Sequence, residues 1–296
     1  MLGSSKSGRR PDVSPKFSNM HSDSLSQTPR VNVLGVGVSA IDMDRAIELS
    51  DRLLQTGGKG YICVTGVHGV MEAQRDPALR HILNRAFLVT PDGMPTVWMG
   101  HLQGYRAMRR VYGPDYMMAM CRLSLSRGYR HFLYGGDIGI VERLKSRLEG
   151  LLPGIEIVGA YTPPFRPLRP SEERRLVEMV SQCRPDILWV GLSTPKQERF
   201  MAENIARLDV HLMVGVGAAF DIHAGMLRDA HPWIKRSGLQ WLDRLIREPR
   251  RLWRRYLSNN PPFVWKACLQ LTKLRRFEIQ QCTIPEDASD LPPSSR

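Results

Sequence analysis

The 296-residue sequence lacks the apolar run that a membrane-spanning helix needs. No stretch approaches about 18 uninterrupted apolar residues, the length that indicates a helix crossing a bilayer. Residues 1–30 carry basic side chains but no apolar segment, which excludes a secretory signal. We therefore expect a disordered leader over residues 1–30, and any contact with a membrane to be made from one side.

Cysteine is scarce, and its spacing fits no known framework. The five cysteines are odd in number and form neither a CxxC pair nor a ligand pattern with histidine. This argues against a disulfide scaffold or a structural zinc site and favours a reducing cytoplasm. The HExxH pattern, the GxSxG elbow and the phosphate-binding Walker loop are also absent from the sequence.

The sequence does have a surplus of positive charge. Its formal net charge of +13 points to a polyanionic partner, which could be nucleic acid, an anionic lipid surface or a phosphorylated ligand. Much of the charge lies between Lys235 and Arg276, where Leu, Ile, Trp and Tyr recur at helical spacing. Such a basic amphipathic segment suits an anionic membrane surface. The alternatives are helices packed on the core with a solvated basic face, and nucleic-acid binding, for which no motif appears.

Before that segment, apolar strand-like runs alternate with helix-like periodicity, which is typical of a parallel sheet with crossover helices. We expect an α/β fold with a Rossmann-like, doubly wound, mostly parallel sheet over residues 31–232. A basic amphipathic helical appendage follows over residues 233–280, and a disordered tail over residues 281–296. The predicted strands span 31–37, 60–65, 86–90, 129–134, 155–160, 186–191 and 211–217, and the predicted helices between them span 43–55, 70–84, 96–102, 115–126, 138–148, 171–181 and 196–206.

Ligands bind such sheets beyond the carboxyl ends of the strands. The segments that follow the predicted strands there are rich in Gly, Thr, Asp and Pro. Gly135-Gly136-Asp137 could offer backbone N–H groups to a phosphate, or it could be a turn with a helix cap. His68 and His223 also fall on such loops, where a histidine is more often a hydrogen-bonded surface group than an acid or base.

Two short motifs near the start of the predicted sheet have simpler explanations. Gly35–Ala40 matches the dinucleotide fingerprint GxGxxA, but the following helix begins too late, since Asp42 has the features of its N-cap. Asp42-Met43-Asp44 resembles a metal-binding DxD, yet an N-cap followed by a first-turn aspartate explains the pair better.

Several segments taken together resemble one family. In chain order they are TPDGMP (90–95), RRVYGPD (109–115), FLYGGDIG (132–139), PDILWVGLSTPKQE (185–198), GVGAAFDIHAG (215–225) and GLQWLDRLIREPRRLWRRYL (238–257). This ordered set closely resembles the WecG/TagA/CpsF glycosyltransferases, glycosyltransferase family 26.

The resemblance implies an inverting, metal-independent glycosyltransferase that uses no cofactor. It would move an N-acetylmannosamine-type sugar or related hexose from a UDP-sugar to a polyprenyl-diphosphate-linked saccharide. The reaction would serve cell-surface or exopolysaccharide biosynthesis, with the enzyme held peripherally on the inner face of the cytoplasmic membrane. The implied general base is Asp92, and the implied substrate-binding residues are Thr65, Arg110, Gln197, Arg244, Arg251 and Arg254.

Without a metal, the charge that develops on the diphosphate must be met by arginines and backbone amides, for which Gly135 and Gly136 are candidates. One position departs from the family pattern. Many members carry Asn two residues after the strand-end Thr, where this chain has Val67, and His68 could take its place. This departure leaves open a non-catalytic nucleotide-sugar sensor or scaffold at the membrane. Nucleic acid is not an expected partner, and self-association is left open.

Overall fold

The computed structural model describes residues 28–279, where the side chains of Pro232, Lys235, Arg236 and Arg251 are not described. The predicted tail and nearly all of the predicted leader lie outside these residues. The elements of the described chain follow in order: β1 (Arg30–Val33), β2 (Val36–Ser39), α1 (Met43–Gln55), β3 (Gly60–Thr65), α2 (Val67–Arg75), α3 (Pro77–Arg85), β4 (Leu88–Pro91), α4 (Met94–Leu102), α5 (Gly113–Arg127), β5 (Arg130–Gly135), α6 (Ile140–Leu151), β6 (Glu156–Tyr161), α7 (Pro170–Cys183), β7 (Ile187–Gly191), α8 (Lys196–Asn204), β8 (Leu212–Gly215), α9 (Ala219–His223), α10 (Pro232–Ser237), α11 (Gln240–Arg247) and α12 (Pro249–Leu271).

A six-stranded, all-parallel sheet forms the centre of the fold, with strand order β4-β3-β8-β7-β5-β6. Its central strands read as continuous apolar runs because both faces are covered by helices. In β7, for example, Trp189 packs with the helices of one face, whereas Leu188 and Val190 pack with those of the other. The predicted α/β class and its parallel sheet are confirmed.

The helices divide between the two faces of the sheet. Helices α1, α5, α6 and α9 bury apolar side chains on one face. Helices α2, α3, α4, α7 and α8 cover the other face, together with the β1–β2 hairpin and the second half of α12. In an open parallel sheet of this kind, ligands bind in the crevice beyond the carboxyl ends of the strands, where the loops after β3, β4, β7 and β8 lie.

The strand predicted over residues 31–37 is wrong. Instead β1 and β2 form an antiparallel hairpin outside the main sheet, in which Arg30 pairs with Ser39. Leu34 and Gly35 turn the chain with φ values of 53° and 81°, and the Gly35 N–H donates to the Asn32 side chain at 2.8 Å. The first glycine of the GxGxxA motif, Gly35, therefore lies in a hairpin turn and is not part of a nucleotide-binding loop.

The helix predicted over residues 70–84 is two helices. Asp76 ends α2 and caps α3, since its carboxylate accepts from the N–H groups of Ala78 and Leu79 at 3.0 and 3.1 Å. Pro77 has no N–H to continue the first helix, but it suits the first turn of the second. The cap predicted at Asp42 is confirmed, with its Oδ1 accepting from Arg45 N at 2.9 Å.

The C-terminal helices return to the core. Helix α12 packs on α2, and the Ser258 carbonyl accepts from Arg75 at 2.9 Å. Near its end, Gln270 accepts from the N–H of Leu34 at 2.9 Å and donates to the carbonyl of Asn32 at 2.8 Å. No helix within residues 28–279 is long and apolar enough to cross a membrane.

Candidate active site

A cavity of about 660 Å³ lies at the carboxyl ends of β3, β4, β7 and β8, within the usual range for small-molecule sites. The strand-end loops form its floor, and α4, α11 and α12 form its outer wall. Six of the predicted site residues line this cavity: Thr65, His68, Asp92, Arg110, Gln197 and Arg244.

Three helices begin at the floor of this cavity. Helices α2, α4 and α8 follow β3, β4 and β7, so each directs its N-terminus to the same edge of the sheet. Gly66 and Gly93 precede the first two and place no side chain over the first helical amides. Since a helix N-terminus carries a partial positive charge, this edge favours a bound anion.

Asp92 lies at the junction of β4 and α4. Its N–H donates to the Thr65 carbonyl at 3.1 Å, and its Oδ1 accepts from Gly113 N at 3.4 Å, with about a third of the side chain exposed. The Arg110 guanidinium donates to the Asp92 carbonyl, approaches Oδ1 to 3.8 Å and stacks on the Tyr112 ring at 4.3 Å. These contacts hold one carboxylate and one cation side by side in the cavity.

Gln197 is 3% exposed and lies beside the equally buried Glu198. The Gln197 Nε2 donates to Glu198 Oε1 at 3.2 Å, and Thr194 Oγ1 donates to the same oxygen at 2.8 Å. Burial raises the pKa of the Glu198 carboxyl. Within the described chain, Gln197 Oε1 is buried with no hydrogen-bond partner. Because buried acceptors in native proteins are nearly always paired, this oxygen is available to a ligand donor.

His68 joins the cavity floor to α12. Its Nδ1 accepts from the Asn259 side chain at 3.2 Å, and its ring also forms a hydrogen bond with the Thr194 backbone. Burial, followed by the charges of Arg255 and Arg75, lowers the pKa of His68 to about 4. The imidazole is therefore neutral at pH 7 and acts as a hydrogen-bonding bridge.

The arginines of the C-terminal helices are divided between the cavity and the surface. Arg244 lines the cavity, and its buried Nε has no hydrogen-bond partner among the described residues. Arg255 also lines the cavity. Arg254 instead lies over the Trp253 ring at 5.3 Å, outside the cavity, because one residue along a helix turns the side chain by about 100°. The side chain of Arg251 lies outside the described part of the structure.

Gly135 and Gly136 lie at the end of β5 and are not part of the cavity wall. The Gly136 N–H donates to the Gly191 carbonyl at 3.0 Å, so it is already used within the sheet edge. A Cβ on Gly135 would come within 2.7 Å of the Gly191 backbone. The prediction that these glycines offer amides to a phosphate is therefore corrected, since neither lies at the cavity and the Gly136 amide is already bonded. The absence of a Cβ on Gly135 allows β5 and β7 to approach each other closely.

Comparison with known protein families gives a match that spans most of the chain. The profile of the glycosyl transferase WecG/TagA/CpsF family matches residues 31–277. The chain belongs to this family. It is therefore a glycosyltransferase, as its sequence motifs indicate.

Curated relatives share one name, N-acetylglucosaminyldiphosphoundecaprenol N-acetyl-beta-D-mannosaminyltransferase. The Bacillus subtilis (strain 168) protein is 29% identical over 178 residues, which cover 60% of this chain and 67% of the relative. The protein of Bacillus spizizenii (strain ATCC 23059 / NRRL B-14472 / W23) is 29% identical over 201 residues, covering 68% and 76%. The Staphylococcus aureus (strain MW2) protein is 23% identical over 253 residues, covering 85% and 97%.

The cavity residues of this glycosyltransferase that were not predicted as site residues include Tyr112, Gln240, Arg255 and Asn259. Gln240 Nε2 donates to the Tyr112 hydroxyl at 2.9 Å, and Arg110 donates to Gln240 Oε1. The Tyr112 hydroxyl in turn donates to Asp229 at 2.9 Å. Tyr112 and Gln240 stand inside the motifs RRVYGPD and GLQWLDRL, a signal that could have identified them.

Within residues 28–279, no cluster of three or more His, Cys, Asp or Glu side chains is arranged to hold a metal ion. The DxD-like pair Asp42 and Asp44 lies away from the cavity, at the start of α1. Metal independence remains a prediction, to be tested with the enzyme.

Proposed function

We propose that this protein transfers an N-acetylmannosamine-type sugar or related hexose from a UDP-sugar to a polyprenyl-diphosphate-linked saccharide. The transfer inverts the anomeric centre, needs no metal and contributes to a cell-surface polysaccharide. The observation that carries the proposal is Asp92, a carboxylate beside Arg110 in a cavity where helix N-termini converge. Family membership and the printed names of the relatives support the same acceptor class.

Asp92 acts as the general base. The acceptor hydroxyl attacks the anomeric carbon and gives its proton to the Asp92 carboxylate. The new carbon–oxygen bond forms as the bond from that carbon to the UDP phosphate breaks on the opposite side, and the electron pair leaves with UDP. A single displacement of this kind inverts the configuration and needs only one carboxylate, in agreement with the geometry around Asp92.

Fixed positive groups stabilise the departing diphosphate. Arg110 and Arg244 line the cavity, and α2 and α8 direct their N-termini into it. Charged donors that are already in place lower the barrier because they need no reorganisation as negative charge develops. The Nε of Arg244, which has no hydrogen-bond partner within the described part of the chain, is a donor of this kind.

Activity on defined substrates tests the proposal. The purified protein is incubated in EDTA with a series of UDP-sugars and polyprenyl-diphosphate-linked acceptors, and the products are read by mass spectrometry. We expect transfer of the sugar at a rate that chelation by EDTA leaves unchanged.

Asp92→Asn should lower turnover by roughly 10²–10⁴. The matched control Asp44→Asn changes an exposed aspartate outside the cavity and should keep full activity. Full activity of Asp92→Asn would remove the proposed base, and UDP-sugar binding without transfer or hydrolysis would favour a sensor.

The membrane surface is the proposed location of the reaction. Helices α10–α12 expose several large apolar side chains among their arginines, namely Trp233, Ile246, Trp253, Leu257 and Trp265. Such side chains insert at the bilayer interface while arginines meet anionic headgroups. Flotation with phosphatidylglycerol vesicles tests this. We expect Ile246→Ser with Leu257→Ser to reduce binding and Leu151→Ser, an exposed leucine on α6, to leave it unchanged. Equal binding by all three proteins would contradict the location.

A further inference from the structure

An apolar groove leads out of the cavity between α4 and α12. Helix α4 packs on β1 and β4, whereas α12 packs on α2 and α11. These contacts leave an open space between α4 and α12. Exposed apolar side chains face it from both helices. We name this the α4–α12 groove and define it by Trp98, Leu102, Val264, Cys268 and Leu271, all of which line the cavity.

The lining of the groove follows a helical period. Along α12, the lining residues are Asn260, Phe263, Val264, Ala267, Cys268 and Leu271, which is the spacing of one helix face. From the first to the last of them a helix rises by about 16 Å. Leu102 on α4 is 68% exposed and Val264 on α12 is 60% exposed, so both side chains remain open to an apolar ligand.

Polarity changes once along this face of α12. Arg255 and Asn259 come first among its cavity-lining residues, with Asn259 bonded to His68 just beyond the end of β3, and the apolar residues from Phe263 to Leu271 follow. A ligand that fits both parts has an anionic group next to an apolar chain. The lipid-linked acceptor has this order, with a sugar, a diphosphate and then an isoprenoid chain. The groove is continuous with the cavity, so one molecule can occupy both.

We infer that the α4–α12 groove binds the isoprene units next to the diphosphate of the acceptor. This inference rests on the proposed function. The catalytic end takes the acceptor sugar, Arg255 meets the acceptor diphosphate, and the apolar residues of α4 and α12 enclose the start of the chain. The rest of the chain extends beyond the groove into the bilayer.

Binding measurements without a membrane test the inference. The probes are methyl, isopentenyl, geranyl and farnesyl diphosphates, used below the concentrations at which they form micelles, with binding read by calorimetry. We expect affinity for the wild type to rise at least about tenfold from the methyl to the farnesyl compound, because each added unit buries apolar surface. Leu102→Ser and Val264→Ser should each reduce that ratio several-fold and leave the affinity for methyl diphosphate unchanged.

Leu257→Ser is the matched control, since Leu257 is a similarly exposed leucine on α12 that does not line the cavity. It should keep the wild-type dependence on chain length. A dependence that Leu102→Ser and Val264→Ser leave intact would overturn the groove. The inference would also be overturned if these variants lost vesicle binding but kept the wild-type dependence on chain length, because the surface would then bind the bilayer. It would be overturned as well if the measured affinity depended on protein concentration, because the surface would then bind a second copy of the protein. Failure of all the diphosphates to bind would instead count against the proposed acceptor class.

Discussion

The folded protein should lose stability below neutral pH, because burial keeps His68 unprotonated in the folded state. An unfolded chain takes up this proton as pH falls through about 6.5, whereas burial beside Arg255 and Arg75 delays it in the folded protein to about pH 4. Between these values the unfolded state binds more protons, so the free energy of unfolding decreases as pH falls. The stability is complete above about pH 6.5 and is lost progressively down to about pH 4.

The size of the effect follows from the two pKa values. Their separation corresponds to about 3 kcal/mol, and we expect about 2–3 kcal/mol because the His68 side chain is 23% exposed. The nearest carboxylate, Glu72, lies 3.8 Å from Nδ1 but is already paired with Arg75 at 2.7 Å. In the folded protein His68 takes up the proton only near pH 4, so the hydrogen bond that its Nδ1 accepts from Asn259 persists until the lower end of this range.

Urea unfolding of the wild type and His68→Gln between pH 7.5 and 4.5 measures this effect. Glutamine can hydrogen-bond to Asn259 and to the Thr194 backbone without titrating in this range. The difference in unfolding free energy between the two proteins should therefore change by about 2 kcal/mol across the series. His131, whose pKa burial also lowers to about 4, is present in both proteins and cancels. Parallel pH profiles for the two proteins would refute the argument.

Two further predictions concern the cavity wall. Arg255→Ala should raise KM for the lipid-linked acceptor by roughly tenfold, because it removes a charge-assisted contact, whereas Arg254→Ala should change this KM less than about twofold. Acceptor titration measures both values, and a larger effect of Arg254→Ala would mean that α12 turns a different face to the cavity. Gln240→Ala should lower kcat/KM by roughly tenfold, as one hydrogen-bonded link from α11 to Arg110 and Tyr112 is lost. Unchanged kinetics in that variant would show that α11 holds its position without this link.

The sheet was predictable because its strands are continuous apolar runs separated by helical periods. The hairpin was not, since Val31–Val38 is as apolar as a buried strand and its turn puts Leu34 at φ 53°, where leucine is rarely found. The break between α2 and α3 was signalled by Asp76-Pro77, a cap followed by a first-turn proline, but the apolar period continues across it. In both places a continuous apolar pattern in the sequence concealed a local change in the chain, namely the turn of the hairpin and the break between α2 and α3.

The candidate site was predictable in part. Residues that follow strands, such as Asp92 and Gln197, were placed by the rule that ligands meet carboxyl strand ends, and both line the cavity. The arginines of α12 were harder to place, because the choice between Arg254 and Arg255 depends on which helix face meets the core. That face is set by distant contacts, including the pairing of His68 with Asn259 and of Gln270 with the hairpin.

Helix α12 is held at two points within its cavity-lining stretch. Asn259 bonds to His68 on α2, and Gln270 bonds to the hairpin through Leu34 and Asn32. These two contacts oppose a rigid-body movement of α12 away from the cavity. Helix α11 is restrained as well, so any movement of α10 and α11 away from the cavity would have to break the Gln240 hydrogen bonds to Arg110 and Tyr112.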